Sequence, residues 1–77
     1  MKNRVNKNNR PSIINYIINR FNELKKDTGR ISIVDVWDVE IEVETKFNIS
    51  DYQSEKLSNQ VIQGNYKWVK VFGVISL

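Results

Sequence analysis

The stretch VWDVEIEVETKFNIS, Val36 to Ser50, decides how this chain folds. From Trp37 to Ile49 every odd position is apolar or Thr, and every even position is Asp, Glu, Lys or Asn. A strict two-residue alternation is the pattern of a strand with one wet face. A single strand from Ile31 to Ile49 would extend roughly 60 Å at about 3.3 Å per residue. A domain of this size has a radius of gyration of only about 11–12 Å. Such a strand would have to fold back, yet no Gly, Pro or Asn lies between Ile31 and Phe47 to turn it. A helix over 33–47 spans roughly 22 Å and fits.

The flanks point the same way. Ser32-Ile-Val-Asp35 is close to a capping box, with the carboxylate three residues after the cap. Asn48 suits the left-handed conformation that ends a helix. On a helical wheel Ile33, Val36, Val39, Val43 and Phe47 form one apolar arc, and Val34, Trp37 and Ile41 add a second flank. Asp35, Asp38, Glu42 and Lys46 form a polar arc, with Glu42 and Lys46 in the favourable i,i+4 order. The alternative is an α+β chain with residues 37–49 as a strand.

Working outward, SIINYIINRFNELKKDTG repeats apolar residues at helical spacing: Ile13, Ile14, Ile17, Ile18, Phe21 and Leu24. Pro11 and Ser12 suit its start, and Gly29 its end. Downstream, Ser50-Asp-Tyr-Gln53 is a second capping box, opening a helix over 51–63 that stops at Gly64. Leu57 and Val61, with small Ser54 and Ser58, line one face of it. Last, YKWVKVFGVISL reads as strand, bent or broken at Gly73. Two short strands there, or one paired with 31–33, would make a small sheet. The expected fold is mainly α, three helices with a small C-terminal β element.

With 77 residues there is room for one core, so residues 1–10 are read as a flexible basic arm and 11–77 as a single globular domain. The opening MKNRVNKNNRPS has no apolar core of a secretory signal, and no run approaches the ~20 apolar residues of a membrane span. The chain has neither Cys nor His. That removes disulfides, the usual zinc and haem ligands, and Ser-His or Cys-His nucleophile pairs. The expectations are a cytoplasmic, non-enzymatic protein with no cofactor and no metal.

The net charge of +3 hides a segregation, with +4 in residues 1–10 and −4 in residues 31–50. A basic arm ahead of an amphipathic domain gains affinity for nucleic acid through counterion release. Richness in Asn, Ile and Lys accords with AT-rich coding DNA, as in a low-GC bacterium, phage or plasmid.

Phe47-Asn48-Ile49-Ser50 looks like the Leu-Gly-Val-Ser turn between the two helices of a helix-turn-helix. Together with the element order, it makes the chain resemble the winged helix-turn-helix fold of DNA-binding domains. The match covers residues 43–61. Asn48 stands for the usual Gly, while Glu44 replaces a small Ala and Ser54 a Val or Ile. The resemblance implies a DNA-binding regulator of transcription, excision or replication, with the third helix in the major groove. That helix would present Gln53, Lys56, Asn59, Gln60 and Gln63 to base edges. Tyr52, Lys67 and Lys70 would meet phosphates, and Lys2, Arg4, Lys7 and Arg10 would follow the backbone or enter the minor groove.

The alternative function is protein binding, as an inhibitor or adaptor, through Glu40 and Glu44 on the acidic helix or through the C-terminal strand. An exposed edge strand there would also allow a homodimer. Trp37 and Trp68 are expected in the core, with base stacking as their second reading.

Overall fold

The computed structural model describes the backbone of Met1–Leu77 and every side chain except that of Val71. Three helices of equal length, α1 (Arg10–Leu24), α2 (Ile33–Phe47) and α3 (Asp51–Asn65), pack around one core. A three-stranded antiparallel sheet closes it, formed by β1 (Arg30–Ser32), β2 (Tyr66–Val69) and β3 (Gly73–Ser76) in the order β1-β3-β2. The radius of gyration is 12.0 Å. Both arrangements anticipated for the sheet occur together: a C-terminal β2–β3 hairpin, and pairing of its second strand with the segment before α2.

The alternating stretch is helical. Ser32 caps α2, its Oγ accepting from the Asp35 N–H at 3.1 Å. At the other end Asn48 sits at φ 51°, and its N–H and that of Ile49 both turn back to the Glu44 carbonyl. Val36, Val39 and Val43 are buried at 3–4 spacing, so β-branched residues in a two-residue alternation still supply a helical core stripe. Ile33 and Phe47 complete the arc half-buried, and Val34, Trp37 and Ile41 stay exposed.

Ile13, Ile17 and Phe21 of α1 face that stripe, joined by Leu57, Val61 and Ile62 of α3 and by Ile31, Ile49, Tyr66 and Val74. The Phe21 and Tyr66 rings meet edge to face at 5.6 Å, tying α1 to the start of β2. α3 runs to Asn65, past Gly64 where a stop was expected and two residues beyond the expected 51–63. A glycine ends a helix only when the backbone turns left-handed there. Here the chain continues to Asn65, whose Nδ2 donates to the Val61 carbonyl, and Tyr66 then goes extended into β2.

Gly73 starts β3 at φ 127°, paired with Ser32 on one side and Val69 on the other. A Cβ there would lie 2.0 Å from the Ile31 carbonyl oxygen. The break in this stretch falls at Lys70–Phe72, and Gly73 just after it leaves no room for a side chain against β1.

The Asn-rich arm, whose composition reads as disordered, lies along the α2–α3 turn. The Asn3 N–H donates to the Asn48 carbonyl at 2.7 Å, Asn3 Nδ2 to the Phe47 carbonyl, and Asn48 Nδ2 to the Met1 carbonyl. Asn6 and Asn9 bond one another's backbone and side chains, and Val5 packs on the core. Short amide side chains satisfy backbone groups locally, which average polarity does not register.

Candidate functional site

Between α1 and α2 an arginine, a glutamate and a tyrosine form one bonded group. Arg20 grips Glu42 with two bonds, Nε to Oε1 at 2.8 Å and Nη2 to Oε2 at 3.1 Å, and the Tyr16 hydroxyl adds a third at 2.8 Å. The guanidinium holds the Glu42 carboxyl below the usual range, with partial burial opposing it. The same hydrogen bonds raise Arg20 and Tyr16. The partner expected for Glu42, Lys46, instead lies over the Tyr16 ring, its Nζ 5.5 Å from the centroid. A bidentate arginine across the interface displaces the single-point lysine on the same helix.

The outer face of α3 is different. Tyr52, Lys56, Asn59, Gln60 and Gln63 surround one shallow depression of about 310 Å³, together with Glu55, which sequence reasoning left out. Ser50 caps this helix, accepting from the Gln53 N–H at 3.2 Å. Gln53 itself is half-buried and lies outside the depression. Gln60 Oε1 accepts from Arg10 Nη2, so the first residue of α1 borders this face on one side. Lys2, Arg4 and Lys7 are exposed on the arm, Lys67 on β2, and Lys70 in the β2–β3 turn, where it takes a φ of 46°.

On its other side α3 shares a second groove with α2 and β2. Trp37 and Glu40 of α2, Glu55, Asn59 and Gln63 of α3, and Trp68 of β2 line it. The expectation that both tryptophans pack in the core is overturned: Trp37 is 55% exposed and Trp68 43%. Trp37 follows Val36 by about 100° on the helix, which turns it out of the Val36–Val39–Val43 stripe. Trp68 is exposed on β2, two residues after buried Tyr66.

Glu40 is half-buried in this groove, and burial pushes its carboxyl above the usual range. The Ser58 hydroxyl beside it works the other way, while Glu55 and Glu44 add to the rise. Ser58 Oγ is itself fully buried and makes no hydrogen bond of ordinary geometry among the described residues. Glu40 and Glu44, which the alternative function joins, do not share the groove: Glu55 of α3 accompanies Glu40 there.

Ser54, which stands where a helix-turn-helix usually has Val or Ile, is fully buried, and its Oγ donates to the Glu40 carbonyl at 2.6 Å. The small side chain lets α3 approach α2 and fills its own hydrogen-bonding need at the contact. Among the described residues no three carboxylates gather as a metal site. No helix is long and apolar enough to cross a membrane.

No family model matches the chain, and no curated protein or solved structure matches it.

Proposed function

We propose that this chain is a small, non-enzymatic DNA-binding protein of winged helix-turn-helix type that lays α3 in the major groove. In this reading it acts as a regulator of transcription, excision or replication in the cytoplasm of a low-GC bacterium, or on a phage or plasmid. One observation carries the reading. The free face of α3, with Tyr52, Lys56, Asn59 and Gln63, is bordered by Arg10 on one side and by β2 on the other. Asn and Gln match adenine in two places at once. Lys67 and Lys70 of the hairpin, with Lys2, Arg4 and Lys7 of the arm, supply cations for phosphates at the margins.

The test is a mobility shift on mixed genomic fragments at low and near-physiological salt. Sequence-preferring complexes are expected. Asn59→Ala should relax the preference at one or two base pairs, costing about 1–3 kcal/mol there. Lys67→Ala, at a phosphate-contacting position, should weaken all sequences alike and reduce the salt slope by about 1. No complex even at low salt would sink the proposal. Binding that is steeply salt-dependent and indifferent to sequence would leave only the arm, acting as a polycation.

A further inference from the structure

The groove between α2, α3 and β2 shares Asn59 and Gln63 with the DNA-reading face but also holds Trp37, Glu40, Glu55 and Trp68, which that reading does not use. We propose that it is a receptor site for a single arginine side chain carried by a separate protein partner. Its walls are indoles from two different elements, Trp37 and Trp68, both exposed and both lining one groove of about 490 Å³. A flat guanidinium stacks on such faces better than any other cationic side chain. Two carboxylates, Glu40 and Glu55, line the same groove, and among the described residues no Lys or Arg does. Neither carboxylate is in an ion pair among the described residues, since both salt bridges there belong to Arg20.

A half-buried carboxylate without a counter-charge is a standing cost, and an incoming cation removes it. The buried Ser58 hydroxyl beside Glu40 offsets only part of that cost. Asn59 and Gln63 offer amide oxygens to the remaining N–H groups of the fork.

Charge also selects the class of occupant. Phosphates would meet Glu40 and Glu55, so stacked bases of a nucleic acid fit this groove poorly. A symmetric contact between two copies through α2 would set Asp38, Glu40 and Glu44 against their own counterparts. Outside the groove, Val34 and Ile41 continue the exposed side of α2 at 55% and 59% exposure, giving a partner apolar surface around its arginine.

The experiment titrates the full chain with N-acetyl-arginine methylamide and with the uncharged citrulline counterpart at matched ionic strength, following the two indole N–H resonances. Arginine should move both resonances along a saturable curve, and citrulline should bind about tenfold more weakly or less. Glu40→Gln should weaken the arginine probe about fivefold or more, whereas Glu44→Gln, outside the groove, should not. Equal responses to the two probes, a response of one indole only, or full binding by Glu40→Gln would overturn the proposal. A dimer of the free chain that Glu40→Gln dissolves would overturn the assignment to a separate partner. Indole shifts caused by a short oligonucleotide but not by arginine would overturn it as well. Trp37→Ala removes an exposed side chain, so its native amide spectrum would confirm folding while its loss of arginine binding tests the wall directly.

Discussion

Glu42 and Glu40 stand two residues apart on α2 and lead opposite lives. Glu42 faces α1, where Arg20 and Tyr16 hold it from three directions and keep its carboxyl low. Glu40 faces α3 and β2, where burial and two further carboxylates push it up and no cation answers it. Both are acids on the same helix, so neither residue type nor helix position explains the difference. What differs is whether the neighbouring element brings a positive group. The α1 side is closed and serves the fold; the α3–β2 side leaves its electrostatic demand for something outside the chain.

The most damaging way to break this comparison is to remove the frame that holds the open side. Gly73→Ala drives a Cβ into the Ile31 carbonyl at the β1–β3 seam, and β3 is also what positions β2 and Trp68. Both the backbone clash and the positive φ oppose it, so a loss of more than about 4 kcal/mol is expected, read by urea denaturation. A variant within 1 kcal/mol of the parent, as a rough bound on surface-like behaviour, would mean that the seam opens freely.

Glu42→Gln tests the closed side. Its folded carboxyl is depressed, so its contribution is complete above the ordinary glutamate value and disappears as pH falls through the folded one. After allowance for solvent screening of a pair about one-third exposed, the loss at neutral pH should be about 1 kcal/mol. It should vanish in acid, where both proteins carry a neutral side chain. A pH-independent difference would point to packing instead.

Ser54→Ala probes the contact between the two sides, deleting the bond to the Glu40 carbonyl at a fully buried position. About 1 kcal/mol should be lost, and thermal unfolding would measure it. The smallest effect belongs to Glu40→Gln. A carboxyl raised in the folded state favours the protonated form, so its favourable contribution exists in acid and is lost as pH rises. The amide should therefore leave stability unchanged or raise it by a few tenths of a kcal/mol at neutral pH, with the difference closing in acid. A clear destabilisation at neutral pH would show that Glu40, like Glu42, has an internal partner.

Local signals in the sequence carried the helices well. The Ser32 and Ser50 caps, the left-handed Asn48 and the valine spacing report on contacts within a few residues, and those are the contacts that set helix ends. They did so against a two-residue alternation that favours a strand. The charges were less readable, because Arg20 and Glu42 meet only after α1 folds onto α2, and nothing nearby in the chain announces it. The same is true of Arg10 on Gln60 and of Asn3 on Asn48. Trp37 and Trp68 misled for a different reason: size and apolarity predict burial on average, but the phase of α2 turns Trp37 outward, and Trp68, on the same strand face as buried Tyr66, sits on edge strand β2. Glu55 escaped notice among amides because its importance comes from Glu40 across the groove, a pairing of two separate helices.

Gly73 also limits how this chain is free to diverge. A related sequence that keeps the three-stranded seam should keep glycine at this position, while the exposed positions 37 and 68 are free to change as far as folding is concerned. Glycine therefore marks descent of the fold, and aromatic residues retained at both 37 and 68 beside acids at 40 and 55 would mark descent of the groove. A lineage that drifted at those four positions yet held the glycine would have kept the scaffold and given up the binding site.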